Sequence, residues 1–354
     1  MIEWLLDRYA DTPKARAKQW IVAGRVRVGG VVVRKPHLCI ADPGNTLELL
    51  DRRAHTLDCA SGWRIHSRVA LLFLDSSLAV VDKGPGLISV PTDDSTISAL
   101  SILEDFLAGR LKAQDRSVAG KGVPAAYRNL RPWPVHRLDQ FTSGVFCMGM
   151  NPSARQQLIE QVRTRKMKRQ YIGFVEGRVA RQSGVWRDWV ALDREGFRQH
   201  VVAPPTVART AGRRGQSAGL AKGRALPGSE ATETVEAFTH YEVMAEYPLP
   251  DGRFATKLRL RLDTGRKHQI RVQAAHAGVP LIGDRIYNPE YQGHARRGPH
   301  LDFSRQALHA HSLTLEHPEQ TGQWMTWTSD LPNDLRDLER ELLGGGRYAG
   351  ASAR

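Results

Sequence analysis

Residues 131–150, RPWPVHRLDQFTSGVFCMGM, join a charged loop to an apolar strand, and this combination constrains the fold strongly. The run over 145–150 is almost wholly apolar, which predicts a strand buried in a core. Asp139 lies just before this strand, where burial of an unpaired carboxylate is costly. Arg137 is one candidate partner, because side chains two apart in an extended segment share a face. The stretch predicts either a reactive carboxylate or a structural ion pair.

The composition predicts a cytoplasmic protein with a polyanionic partner. The 354 residues carry a formal net charge of +14, and nucleic acid is the commonest partner of so basic a chain. No apolar run reaches the roughly 18 residues of a membrane span, and the N-terminus lacks a signal-peptide pattern. The three cysteines, Cys39, Cys59 and Cys147, are far apart, which argues against a disulfide framework and CxxC zinc sites.

Residues 1–53 predict a small separate module. Helical patterns cover 1–9 and 15–23, and two valine-rich runs around Gly29 and Gly30 indicate a hairpin. Its basic side chains are candidate RNA ligands: Lys14, Arg16, Lys18, Arg25 and Arg27. The alternative is that these residues form an ordinary solvent-exposed face without a binding role.

A polar connector at 54–68 is predicted to lead into a larger domain over 69–330. Helices are predicted over 95–112, capped by Ser95, and after the N-cap pair Asn151 and Pro152. The strict alternation at 257–262 predicts a strand with one basic face, and residues 266–277 predict a helix. Residues 205–232 are basic and poor in apolar residues, which predicts a flexible insertion contacting RNA phosphates. Residues 331–354 predict a C-terminal helix and tail.

Several well-known catalytic and binding motifs are missing from the chain. The HRLD sequence differs from the kinase His-Arg-Asp loop by an extra leucine, and the kinase GxGxxG and Asp-Phe-Gly motifs are absent. Neither a P-loop nor a GxSxG elbow is present, which disfavours a hydrolase built on Ser143 and His136. His309, His311 and His317 have no acidic partner motif, so structural roles are favoured over a metal site. A DNA-binding protein is disfavoured because no helix-turn-helix is visible.

The segment HRLDQFTSG resembles the signature H-R-L-D-x-x-T-S-G of the RluA-type family of pseudouridine synthases. Every fixed position is matched, by His136, Arg137, Leu138, Asp139, Thr142, Ser143 and Gly144. Three further stretches match family motifs in order, at 82–87, 169–177 and 265–273. Two departures stand out, because Gly84 replaces the usual proline and Gln273 replaces the usual last histidine.

This resemblance implies an α+β domain on a mixed, largely antiparallel sheet with flanking helices. It also implies that Asp139 is the nucleophile that cleaves the uridine glycosidic bond, at the sugar anomeric carbon or the uracil ring, without a cofactor or metal. Tyr171 corresponds to the residue that packs on the uracil and is a candidate for removing the carbon-5 proton. Arg271 corresponds to the arginine that pairs with the catalytic aspartate, and Arg137 to the one that replaces the flipped base.

Further positions are expected to contact RNA. Ile270 corresponds to the apolar residue that lines the base pocket. Residues of the matched motifs are predicted to bind substrate, namely His136, Thr142, Gly144, Arg266 and His268. The basic cluster 163–169 adds Arg165 and Lys168 as RNA ligands.

The N-terminal sequence ARAKQWIVAGRVRVGGVVV, followed by PGNTLEL, resembles the S4 RNA-binding domain. This implies a module that docks RNA and takes no part in catalysis. The partner is expected to be ribosomal RNA, with transfer RNA as the alternative, and the protein is expected to be a monomer. A rival hypothesis is a non-catalytic RNA-binding or ribosome-assembly factor that retains the fold.

Overall fold

The computed structural model of the protein describes residues 2–9, 12–22, 26–29, 31–33, 35–38, 47–49, 57–93, 96–114, 123, 127–128, 130–192, 198–204, 234–289, 291–292, 295–296 and 303–344. The predicted insertion at 205–232 and the candidate ligand Arg25 lie outside these residues. The chain divides into two compact units. Unit 1 comprises Met1–Ile172 and Leu308–Glu339, and unit 2 comprises Gly173–Ala307 and Arg340–Arg354.

Helices and strands are numbered along the whole chain. The helices are α1 (Ile2–Arg8), α2 (Lys14–Val22), α3 (Ala99–Leu107), α4 (Pro152–Arg163), α5 (Gln269–His276) and α6 (Asn333–Leu343). The strands are β1 (Val26–Val28), β2 (Val31–Val33), β3 (Leu47–Leu49), β4 (Leu57–His66), β5 (Val69–Leu74), β6 (Leu78–Lys83), β7 (Trp133–Pro134), β8 (Ser143–Gly149), β9 (Lys168–Glu176), β10 (Ser183–Leu192), β11 (Gln199–Val202), β12 (Val235–Pro248), β13 (Phe254–Leu262), β14 (Tyr291–Gln292), β15 (Ala295–Arg296), β16 (Leu308–Glu316) and β17 (Trp324–Thr328). Among the described residues, no helix is long and apolar enough to cross a membrane.

The N-terminal part of unit 1 has the two helices and the hairpin that its sequence predicted. Strands β1 and β2 pair antiparallel around Gly29, whose φ is +58°, and β3 pairs with the other edge of β1. Its helices and strands share a core cluster of buried apolar side chains: Leu5, Ala17, Ile21, Val26, Val33 and Leu47. The helix–hairpin–strand order therefore follows from its own local pattern.

The rest of unit 1 is organised around strand β8. The strand order is β9-β16-β8-β6-β5-β4, with β17 paired to β16 and β7 paired to β8. Strands β8 and β16 are parallel, whereas β8 pairs antiparallel with β6 and β7. Every residue of β8 is buried, as its apolar run predicted. Helix α4 begins at Pro152 after the Asn151 N-cap, also as predicted, and adds Leu158 to the core beside β8.

Two local predictions for unit 1 are wrong. The connector predicted at 54–68 contains β4, which pairs with β5. An edge strand needs few apolar residues, and in β4 the fully buried Ile65 is flanked by the more exposed Arg64 and His66. Helix α3 begins at Ala99 rather than near Ser95, because Ser98 forms a capping box with Ser101.

Unit 2 contains four antiparallel strands in the order β11-β10-β12-β13, together with helix α5. The alternation predicted for β13 is confirmed, since Leu258, Leu260 and Leu262 are buried. Its basic face is matched by acids, because Arg259 pairs with Glu242 of the neighbouring strand. Together with the parallel pair of unit 1, this confirms the predicted α+β class with a mixed, largely antiparallel strand arrangement.

Gln273 ties helix α5 to the strands of unit 2. Its fully buried amide donates to the Trp186 carbonyl at 3.1 Å and to Asp188 Oδ2 at 2.7 Å. It also accepts a hydrogen bond from Thr239 Oγ1 at 2.7 Å. The glutamine that replaces the usual histidine of the family motif therefore anchors the helix that carries Ile270 and Arg271.

Candidate active site

The loop that carries Asp139 is clamped to the turn after β6. Ser89 Oγ lies 2.9 Å from both the backbone nitrogen and the carbonyl oxygen of Leu138, immediately before Asp139. The Thr142 N–H donates to the Asp139 carbonyl at 3.1 Å, which closes a tight turn after it. The backbone of Asp139 is therefore fixed on both sides, while its partly buried side chain lies at the edge of the core.

Lys83 strengthens this clamp from within the core. Its ammonium group is fully buried and donates to the carbonyls of Gly84 at 3.1 Å, Leu87 at 2.8 Å and Gln140 at 3.1 Å. The Gly86 N–H also donates to the Gln140 carbonyl. Sequence reasoning matched this segment to a family motif but assigned no role to Lys83. A lysine at the end of a buried strand was the available signal.

The TSG segment docks the end of the loop onto β16. Gly144 has a φ of +115°, and a Cβ placed there would lie 2.2 Å from the Ala310 carbonyl oxygen. Ser143 Oγ lies 3.0 Å from Nδ1 of the buried His309. These contacts give Gly144 and Ser143 a structural reason to be glycine and serine. Substrate contacts of Thr142 and Gly144 stay predictions.

Tyr171 and Asp139 are electrostatic neighbours. Tyr171 is buried on β9, and burial is the main cause that raises the pKa of its phenol. The positive charge of Arg169 opposes this rise in pKa, and the negative charge of Asp139 adds to it. The structure thus brings together two of the three predicted catalytic residues. Since its pKa is raised above the ordinary value of 10.0, the phenol is neutral at pH 7.

Arg169 is a buried residue of the site whose role sequence reasoning missed. It was assigned to a basic surface cluster, yet only 6% of the residue is exposed. Its charge lowers the pKa values of His136, Cys147 and Tyr171, so it lies among these three side chains. The signal was available, because Arg169 and Tyr171 are two apart in one strand and share a face.

His136 is neutral at physiological pH. Its Nε2 accepts a hydrogen bond from the Cys147 N–H at 3.3 Å, and its ring packs edge-on against Phe146. Burial, helped by the charge of Arg169, lowers its pKa to about 3. Burial also raises the pKa of the Cys147 thiol to about 12. Neither side chain is therefore a general acid or base near pH 7, and substrate binding by His136 stays a prediction.

Replacing His136 with glutamine is expected to reduce the loss of stability in acid. The folded-state pKa of about 3 lies below the ordinary value of 6.5, so the unfolded chain binds the proton first as the pH falls. The neutral imidazole therefore lowers the free energy of unfolding progressively below pH 6.5. Urea unfolding at pH 7 and pH 5 measures this effect. An equal loss of stability in His136→Gln and wild type would contradict it.

Arg137 and Leu138 are adjacent in this loop but differ in their exposure to solvent. Arg137 is exposed, whereas Leu138 is 3% exposed and belongs to the core. An exposed guanidinium two residues before Asp139 is compatible with the predicted insertion into RNA, which stays a prediction.

Unit 2 holds the remaining predicted site residues near the start of α5. Ile270 and Arg271 are buried, and Arg266 is exposed. Arg271 forms a two-point ion pair with the buried Asp284, with N–O distances of 2.7 and 2.9 Å. His268 has a φ of +54°, and its Nδ1 lies 2.9 Å from the Tyr287 hydroxyl. The pairing of Arg271 with Asp139 stays a prediction of the family resemblance.

The predicted RNA ligands outside this site are surface residues with one exception. Arg27 is partly buried, whereas the others that the structure describes are exposed: Lys14, Arg16, Lys18, Arg165 and Lys168. Exposed cations can neutralise phosphates without first breaking core contacts.

Comparison with known proteins decides the family. A family described as RNA pseudouridylate synthase matches residues 77–276, which include Lys83, Asp139, Tyr171 and Arg271. The chain belongs to the RNA pseudouridylate synthase family. Its reaction class is therefore the isomerisation of uridine to pseudouridine in RNA.

Relatives of this synthase family match nearly the whole chain. The uncharacterized RNA pseudouridine synthase YlyB of Bacillus subtilis is 27% identical over 352 residues, covering 97% of this chain and 94% of the relative. Ribosomal large subunit pseudouridine synthase D of Yersinia pestis is 27% identical over 347 residues, covering 96% and 89%. The solved structure of human RNA pseudouridylate synthase domain containing 4 has a TM-score of 0.52 at 19% identity, covering 80% of this chain and 94% of that one. This structural likeness supports the fold.

Proposed function

We propose that this synthase acts on ribosomal RNA with Asp139 as its nucleophile. The observation that carries the proposal is the clamped loop, which holds Asp139 beside the buried phenol of Tyr171. A nucleophile must keep one orientation throughout the reaction, and the bonds of Ser89 and Lys83 to this loop supply that rigidity.

The proposed reaction is an isomerisation that needs no cofactor. The Asp139 carboxylate forms a covalent bond to the sugar anomeric carbon or to the uracil ring, and the glycosidic bond breaks. The freed uracil rotates and rejoins the sugar through carbon 5, and the bond to Asp139 breaks, which restores the free carboxylate. Carbon 5 loses its proton, and nitrogen 1 gains one. Tyr171 is proposed to pack on the uracil during rotation, since base–aromatic stacking contributes about 1–3 kcal/mol.

Arg137 and the basic surface are proposed to bring RNA to this site. A uridine must leave its stack to reach Asp139, at a cost of roughly a few kcal/mol, and an inserted guanidinium offsets part of it. The net charge of +14 and the exposed cations of α2 favour a polyanionic substrate. We infer that residues 1–53 are an S4-like docking module, and that the protein works as a monomer in the cytoplasm.

Ribosomal RNA is the substrate favoured by the relatives that match most of the chain, several of which are named for the large ribosomal subunit. Transcripts of large-subunit, small-subunit and transfer RNA, each labelled with tritium at uridine carbon 5, test this assignment. We expect tritium release to water from large-subunit RNA. Release from transfer RNA alone would contradict the ribosomal substrate, and no release from any RNA would contradict the catalytic role.

A further inference from the structure

Arg271 is held in a buried two-point ion pair within unit 2. Its Nε donates to Asp284 Oδ2 at 2.7 Å, and its Nη2 donates to Asp284 Oδ1 at 2.9 Å. The two side chains are 5% and 1% exposed, respectively. Two parallel charge-assisted bonds fix the plane of a guanidinium as well as its position. Asp284 therefore determines the direction in which Arg271 points.

Asp284 is itself immobilised by the loop around it. Its Oδ1 also accepts hydrogen bonds from the backbone N–H groups of Ile286 at 3.0 Å and Tyr287 at 3.1 Å. The preceding Gly283 has a φ of +74°, and a Cβ there would lie 2.0 Å from the Arg305 carbonyl oxygen. The loop backbone at Gly283 therefore packs directly against the backbone of Arg305, and this contact fixes the position of the Asp284 carboxylate.

Tyr287 supports Arg271 from a second side. The centre of its ring lies 5.1 Å from the guanidinium carbon of Arg271. Its hydroxyl lies 2.9 Å from His268 Nδ1 and accepts the Gln199 N–H at 2.9 Å. His268, at the N-cap of α5, has a left-handed backbone conformation that a non-glycine residue keeps only when its surroundings impose it. Tyr287 therefore braces both Arg271 and the start of its helix.

Stability alone is a poor explanation for this arrangement. Arg271 is in the first turn of α5, where the helix dipole disfavours a cation. Burial of both charges adds a desolvation cost, and buried ion pairs can often be replaced by apolar residues without loss of stability. A fold that keeps the pair in spite of these costs gains a fixed orientation of the arginine.

We propose that Asp284 and Tyr287 are positioning residues for Arg271 in the isomerisation. The inference rests on the proposed function, and on the family resemblance that makes Arg271 the arginine paired with the catalytic aspartate. Asp284 sets the plane of the guanidinium, and the Tyr287 hydroxyl fixes the start of the helix that carries Arg271 through its contacts with His268 and Gln199. Both residues lie beyond the 77–276 segment that defines the family match.

The variants Asp284→Asn and Tyr287→Phe test this proposal, with Arg271→Gln as the reference. Loss of a residue that orients a metal ligand typically costs about 10–100-fold in activity, and we expect a similar factor for a residue that orients a reactive arginine. We expect kcat to fall by about this factor in Asp284→Asn and by less in Tyr287→Phe, with KM for RNA within about twofold of wild type. Asp251→Asn is the control, because the exposed Asp251 also pairs with an arginine of unit 2: its Oδ2 accepts from Arg253 Nε at 2.6 Å, and its Oδ1 accepts from the Arg253 backbone N–H at 3.0 Å.

A spectroscopic measurement separates positioning from general destabilisation. The Nε–H signal of Arg271, assigned by its absence in Arg271→Gln, is expected to exchange slowly with water in wild type and rapidly in Asp284→Asn. Tyr287→Phe removes only a hydroxyl, so it keeps the test valid if Asp284→Asn does not fold.

The outcomes distinguish this inference from the proposed function. Full activity of Arg271→Gln would contradict the catalytic role proposed for Arg271, whatever the other variants show. An inactive Arg271→Gln together with wild-type kcat in Tyr287→Phe and in folded Asp284→Asn would overturn the positioning role.

Discussion

Replacing Asp139 with asparagine is expected to abolish pseudouridine formation while RNA binding is retained. An amide of nearly the same shape cannot serve as the nucleophile, so kcat should fall by at least about 10³-fold. The clamp should persist, because Ser89, Lys83 and Thr142 bond backbone atoms of this loop. Tritium release measures the reaction, and fluorescence anisotropy with labelled RNA measures the Kd.

Asp105→Asn is the matched control for this change. It removes an exposed carboxylate of α3 that pairs with Arg110, and it is expected to leave kcat and Kd unchanged. Wild-type tritium release by Asp139→Asn would show that another group attacks the uridine. A loss of binding equal to the loss of activity would show that Asp139 acts in RNA recognition.

Replacing Gly144 with alanine is expected to destabilise unit 1 severely. The added Cβ would lie 2.2 Å from the backbone oxygen of Ala310, and the φ of +115° disfavours any side chain. Strain at such a φ costs roughly 1–3 kcal/mol, and overpacking against backbone adds a similar amount. The urea midpoint of unfolding should therefore fall well below that of wild type.

Gly109→Ala separates the cost of a positive φ from the cost of the steric clash with Ala310. Gly109 also has a positive φ, of +77°, but a Cβ there would meet no atom within 4 Å. We expect it to show only the smaller, conformational loss of stability. Equal midpoints for the two variants would mean that the close approach of β8 to β16 adds no energetic penalty.

Much of the fold could be predicted from the sequence because its signals are local. The N-cap pair Asn151 and Pro152 sets the start of α4, and the apolar run of β8 indicates its burial. The alternation of β13 likewise shows which of its side chains enter the core. Each of these signals lies within a few residues of the element that it specifies.

The supports of the candidate site could not be predicted, because they join residues far apart along the chain. Ser89 and Leu138 are 49 residues apart in the sequence, and no periodic pattern of residues predicts a hydrogen bond between them. The burial of Arg169 was missed because it follows a run of exposed basic residues. Asp284 was missed because a single carboxylate in a loop shows no pattern until its bond to Arg271 is seen.

The contact between Lys83 and Gln140 also bears on how the enzyme acquires activity as it folds. It closes a loop of 57 residues, and the entropy lost in closing such a loop needs prior compensation by other contacts. The pairing of β6 with β8 supplies them, since it brings Lys83 opposite Gly144. We therefore expect the loop that carries Asp139 to be fixed only after these strands have joined. A chain in which β6 and β8 have not paired would keep its positive charge, but it would lack the contacts that hold the proposed nucleophile in place.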